Sequence, residues 1–123
     1  MSVTEPSGSS TKSAYERRCG ERVSINLPVE FIKPCSLNGK LIDLSLCGCG
    51  VLMSEPLQPK DEFLVHINLP SEDGYIKIDL SCVVARCDKV RGQYLTGLAF
   101  NQMKPYQAYE INAFFNYHQR FDS

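Results

Sequence analysis

In the stretch VSINLPVEF, Val23, Ile25, Leu27, Val29 and Phe31 alternate with Ser24, Asn26 and Glu30, the period of two expected of an extended strand with one buried face. The pattern recurs along the chain. FLVHINL sets Phe63, Val65 and Ile67 on one side, and further extended runs are legible from Lys40 to Ser45, in VLM, from Tyr75 to Arg86 and in QYLTGLAF. Turn-forming clusters separate them: KPCSLNGK with its Asn38-Gly39 pair, the break bracketed by Gly48 and Gly50, EPLQPKDE, PSEDG and CDKVRG. Short strands at such even spacing predict an all-β barrel or sandwich. Pro28 has no amide hydrogen to give a ladder and belongs at an edge or bulge of the first strand. A first hairpin centred near Leu37 would place Val23 across from Val51 and Asn26 across from Gly48.

The period changes after residue 104. Pro105 suits a first helical turn, and Tyr106, Glu110, Ala113, Phe114, Tyr117 and Phe121 fall mostly on one stripe, so one C-terminal helix closes the domain with that stripe packed on its own sheet. The 123 residues form one domain, large enough for a core without disulfides or a metal. The opening MSVTEPSGSSTKSA is small, polar and without an apolar signal segment, which predicts a solvated tail over residues 1–14 and a cytoplasmic setting.

A formal net charge of -1 supplies no general field for nucleic acid or anionic membrane, so DNA and RNA are not expected partners and any anion site must be local. No window approaches a membrane span. The six cysteines contain no CxxC pair, and in a reducing compartment they are expected as free thiols; Cys47, Cys49, Cys82 and Cys87 lack the usual zinc spacing. Enzymatic motifs are missing too: there is no phosphate loop, nucleophile elbow or HExxH, and neither His66 nor His118 has a local partner that would make it a base.

Two constellations could carry chemistry. In YERRCGERV, Arg17, Arg18 and Arg22 crowd the entry to the first strand, where guanidinium groups can bind phosphate, fork onto the O6 and N7 of guanine, or stack on a base. Glu16 and Glu21 offset that charge, and a solvated arm is the competing reading. In DLSLCG, Asp43 and Ser45 are two apart and would share one strand face, with Leu44 and Leu46 on the other. A carboxylate accepts from the N1–H and N2–H donors of guanine, a serine adds a hydroxyl, and Gly48 permits a sharp turn and close approach of a ligand to the backbone. An Asp and a Ser near a turn also commonly cap it.

In this order the two motifs resemble a known family. RCGER fits RxxxR and DLSLCG fits D/N-x-S-x-x-G, as in PilZ domains, the bacterial receptors for cyclic di-GMP; ERRCGERVSINLPVEF, YLTGLAF and the closing helix extend the likeness over nearly all of the chain after residue 15. The resemblance implies an all-β fold, a six-stranded antiparallel, split, Greek-key-like barrel with a C-terminal α-helix. Its parts would be a ligand-binding arm at 15–22, a barrel at 23–101 and a helix at 104–121, within a domain of residues 15–123. Arg18 and Arg22 would contact guanine and phosphate, Asp43 and Ser45 a guanine edge, and Gly48 would shape the turn.

Arg17, just before RxxxR, stands where the family's arginine is associated with two intercalated ligand molecules, which implies two cyclic di-GMP per protomer. No cofactor or metal is implied. The function that follows is a non-enzymatic receptor whose arm orders over the barrel on binding and which signals through a protein effector, since these residues hold no second domain. Cys19, Gly20 and Glu21 inside RxxxR depart from the more basic or aromatic residues common there, loosening the arm and setting a like charge near the ligand phosphates. A protein-interaction adaptor without ligand control, or a metal module built on Cys47 and Cys49, are the competing functions.

Overall fold

A computed structural model describes residues 22–122 of the chain, with side chains described through His118. Six strands and one helix follow in order: β1 Val23–Lys33, β2 Leu37–Leu44, β3 Gly48–Met53, β4 Glu62–Ser71, β5 Gly74–Val90, β6 Gln93–Phe100 and α1 Pro105–Asp122. All neighbours are antiparallel and the order β1-β2-β3-β6-β5-β4 closes on itself, so the expected barrel is the one that forms. The inward positions of the alternating pattern make the core. Phe31, Leu41, Leu44, Val51, Val65, Ile67, Leu80 and Val84 are buried inside the barrel, and Phe31 meets Phe63 edge to face with ring centroids 5.1 Å apart.

The first hairpin departs from the expected register. Val23 faces Leu44 and Phe31 faces Leu37, so the turn lies at residues 34–36 rather than at Asn38-Gly39. Pro34 cannot donate to a ladder and stops β1, while Asn38 and Gly39 continue into β2 opposite Glu30 and Val29. Gly39 serves packing instead: a Cβ there would lie 2.5 Å from Met53 Sδ and 2.7 Å from Val51 Cγ1. Pro28 pairs with Lys40 one residue before the β1–β4 pairing begins at Val29, next to the irregularity between Ser24 and Leu27.

Gly48 and Gly50 lie inside β3, and the break falls at residues 45–47. Strands β4 and β5 run further than expected, leaving Glu72 and Asp73 as the β4–β5 turn. Arg91 and Gly92, with φ of 52° and 82°, make the tight β5–β6 connection suited to the twist of a hairpin.

In α1 the buried residues are Gln107, Ile111, Phe114 and Phe115, a stripe one residue out of phase with the expected one. Tyr106 is exposed, as is Tyr109, and Phe121 lies beyond the described side chains. The start of the helix sets that phase: Gln107 Oε1 accepts from the Lys104 N–H at 3.0 Å while Gln107 Nε2 donates to the Asp79 carbonyl at 2.6 Å, tying the first turn to β5.

Candidate functional site

The corrected register brings the two motifs together. Because Val23 faces Leu44, Arg22 enters the barrel beside Asp43, and Arg22 Nη1 donates to Asp43 Oδ1 at 2.7 Å. The separation along the sheet that a later turn would have imposed does not arise. Arg17 and Arg18, with the expected ordering of the arm, lie outside the described residues.

Two β-bulges determine which side chains face outward here. Strict alternation from the buried Leu41 would turn Asp43 into the barrel, but β2 carries one extra residue between Leu41 and Asp43, so Asp43 emerges on the outer surface while Leu44 returns to the core. Strand β5 repeats the device. Val84 is buried, the register slips between Val84 and Arg86, and Arg86 comes out opposite Gly97.

A row therefore crosses five strands in register: Ser24, Asp43, Gly50, Gly97 and Arg86. At about 4.8 Å per strand, the path around the barrel wall from Asp43 to Arg86 is roughly 14 Å. Between them the floor has no side chains. A Cβ on Gly50 would lie 2.8 Å from Asp43 Oδ2, and one on Gly97 would lie 3.3 Å from Arg86 Cγ, so each glycine makes room for a charged neighbour. Arg86 is otherwise lightly held, with Nε 3.9 Å from Asp88 Oδ2. The outcome is a strip along the curved barrel wall with a carboxylate at one end, a guanidinium at the other and Arg22 paired with the carboxylate. Sequence reasoning missed Gly50, Gly97 and Arg86, because their roles depend on cross-strand register and on a bulge that no local pattern announces.

Ser45 does not share a strand face with Asp43. It is buried at 2% exposure, and its Oγ accepts from the N–H groups of Cys47 and Gly48, each at 3.2 Å, while Ser45 N–H donates to the Gly48 carbonyl at 2.9 Å. The hydroxyl thereby closes the β2–β3 turn in the manner of a serine cap. Gly48 completes it, since a Cβ there would collide with the Leu98 carbonyl oxygen of β6.

The cysteines divide. Cys49 and Cys82 are buried, and burial pushes both thiols up: Cys49 well above its ordinary 9.0, with Cys82 and Asp43 adding to the effect and Arg22 opposing it, and Cys82 to about 12. Cys82 stays protonated in the fold where an unfolded thiol ionises, so its contribution to stability is whole below pH 9.0 and is lost as pH rises from 9.0 to about 12. Urea midpoints measured across that window are expected to fall, and the fall to shrink in Cys82→Ala. Cys35 and Cys87 are also free thiols, but Cys47 is disulfide-bonded, which corrects the expectation of free thiols throughout. Among the described residues no three His, Cys, Asp or Glu side chains converge to hold a metal. His66 Nδ1 lies 2.6 Å from Asp79 Oδ1 across β4 and β5, away from the strip.

The site is thus an Arg–Asp pair beside a glycine floor on the outer surface of a closed six-stranded barrel. The family model for the PilZ domain matches residues 16–116, and the chain belongs to that family. As a PilZ domain it is a binding module and not an enzyme. Among solved structures it resembles Escherichia coli YcgR in complex with c-di-GMP, with TM-score 0.69 and 19% identity, covering 83% of this chain and 46% of that one. The separate PilZ domain of YcgR with c-di-GMP matches at TM-score 0.62 and 16% identity over 84% of this chain and 95% of that one. Bacillus subtilis MotI/DgrA, an inhibitor of motility, matches at TM-score 0.67 and 18% identity, over 80% of this chain and 48% of that one. The chain thus spans about half the length of full YcgR and MotI. No curated protein matches the chain significantly in sequence. Among the described residues no helix is long and apolar enough to cross a membrane.

Proposed function

We propose that this chain is a cyclic di-GMP receptor that binds its ligand on the glycine strip and signals through a protein effector. The observation that carries the reading is the 2.7 Å contact between Arg22 and Asp43, which joins the arginine motif to the DLSLCG motif at the edge of a surface clear of side chains. In this reading Asp43 accepts the N1–H and N2–H donors of a guanine, Arg22 and Arg86 contact phosphate or stack on a base, and Gly50 and Gly97 let the ligand approach the sheet. Ser45 and Gly48 hold the turn that presents Asp43. Arg17 and Arg18 extend the cationic arm over the ligand, and Arg17 favours two intercalated molecules per protomer. The effector reads the surface so changed.

Isothermal titration of the purified chain with cyclic di-GMP tests this. Saturable binding at low micromolar ligand or below is expected, at two ligands per chain. No heat with ligand on the order of tens of micromolar would overturn the receptor reading and leave the adaptor, whose partner capture is indifferent to nucleotide.

A further inference from the structure

Strands β1 and β4 part where a proline interrupts their ladder. They pair from Lys33 opposite Leu64 back to Val29 opposite Ile67. One step further Pro28, which has no N–H to give, would face Asn68, and there the pairing ends although both strands run on, β1 back to Val23 and β4 out to Ser71. The split opens a cleft of about 370 Å³ on the barrel wall, lined by Leu27, Pro28, Asn68, Tyr75 and Lys77. That is the size of a small-molecule site. The cleft shares no residue with the glycine strip.

Each group in the cleft offers one kind of contact. Leu27 belongs to the inward-facing set with Val29, and the split leaves it only half-buried. Tyr75 is 71% exposed, an aromatic ring left to water at the edge of the cleft. Together with Pro28 these side chains give apolar surface to a planar ring. Asn68 Oδ1 is shielded from solvent and accepts no hydrogen bond among the described residues. Buried acceptors without a partner are rare in native folds, and a ligand N–H would satisfy this one. Lys77 faces Asn68 across β4 and β5 and enters no ion pair among the described residues.

The neighbouring charges orient an occupant. Beyond Pro28 and Asn68 the groove continues to Glu30 and His66, and His66 stands between Glu30 on β1 and Asp79 on β5. Two carboxylates at that end repel an anionic group, and Lys77 at the other attracts it. An added strand is a poor occupant, because the edges it would join are interrupted by Pro28 on β1 and Pro70 on β4.

We propose that this cleft is a second binding site, which takes a small aromatic carboxylate carrying a ring N–H. The ring packs on Leu27, Pro28 and Tyr75, the N–H donates to Asn68 Oδ1, and the carboxylate pairs with Lys77.

The test titrates the full chain, free of cyclic di-GMP, against indoleacetate. The sequence has no tryptophan, so the anisotropy of indole fluorescence reports the probe alone. Saturable binding with Kd of about 1 mM or tighter is expected. Tryptamine, with an ammonium in place of the carboxylate, should bind at least about tenfold more weakly. The same loss is expected for indoleacetate in Lys77→Met and in Tyr75→Ala, both changes at exposed side chains that leave the core untouched. Naphthaleneacetate has no N–H to give, so Asn68→Leu should weaken indoleacetate about fivefold or more and leave naphthaleneacetate within about twofold. No saturable binding at millimolar indoleacetate, equal binding of tryptamine, wild-type affinity in both Lys77→Met and Tyr75→Ala, or an Asn68→Leu effect that is the same for both acids overturns the proposal.

Discussion

Asp43→Ala is expected to weaken cyclic di-GMP binding by about a hundredfold or more while leaving the fold intact. In the proposed complex the carboxylate would accept two donors from one guanine edge, and each charge-assisted bond contributes about 1.5–3 kcal/mol; losing about 3 kcal/mol corresponds to roughly a hundredfold in Kd. The folding cost is small by comparison. The Arg22–Asp43 pair is exposed, with side chains 54% and 29% accessible, and a pair in that setting stabilises by no more than about 1 kcal/mol. Calorimetry for the ligand and urea melts for the fold therefore separate in this variant: binding collapses and the midpoint barely moves. Arg86→Ala should fall between, near tenfold, because a single cation at the far side of the strip is removed without unpairing the guanine edge. Equal affinity in Asp43→Ala and the wild type would remove Asp43 from the site.

That strip shows how far local sequence patterns reach. Alternation in VSINLPVEF and FLVHINL is a local property of each strand, and it correctly marks Val29, Phe31, Val65 and Ile67 as core. Register is a property of pairs, and Asn38-Gly39, a strong hairpin signal in general, points to the wrong turn. Here Pro34 ends β1 first, and Gly39 is a glycine because Val51 and Met53 fill the space beside it. The same limit applies to the site. Asp43 and Gly48 are recognisable from a short motif, whereas Arg86 by alternation from Val84 belongs inside the barrel and reaches the surface only through a bulge. The contact between Arg22 and Asp43 likewise depended on a turn whose position local signals set wrongly.

Gly48→Ala is expected to destabilise the fold by about 3 kcal/mol, lowering the urea midpoint by about 2 M with little change in slope. The added methyl meets the Leu98 carbonyl oxygen, which is backbone and cannot turn aside. To make room, β3 must move from β6, and the bonds fixed to this point loosen with it: Phe100 N–H to the Cys47 carbonyl, Ser45 N–H to the Gly48 carbonyl, and the Gly48 N–H to the buried Ser45 hydroxyl. Gly50→Ala, two residues along the same strand, is the contrasting case. The three atoms nearest its methyl all belong to the Asp43 carboxylate, the end of a side chain that can rotate away. The midpoint should hold within about 0.5 M, yet ligand affinity should fall at least tenfold, because the carboxylate is pushed out of register with the strip. A Gly48→Ala protein as stable as the wild type would show that β6 yields at Leu98. A Gly50→Ala protein that binds normally would show that the glycine floor is not the surface the ligand uses.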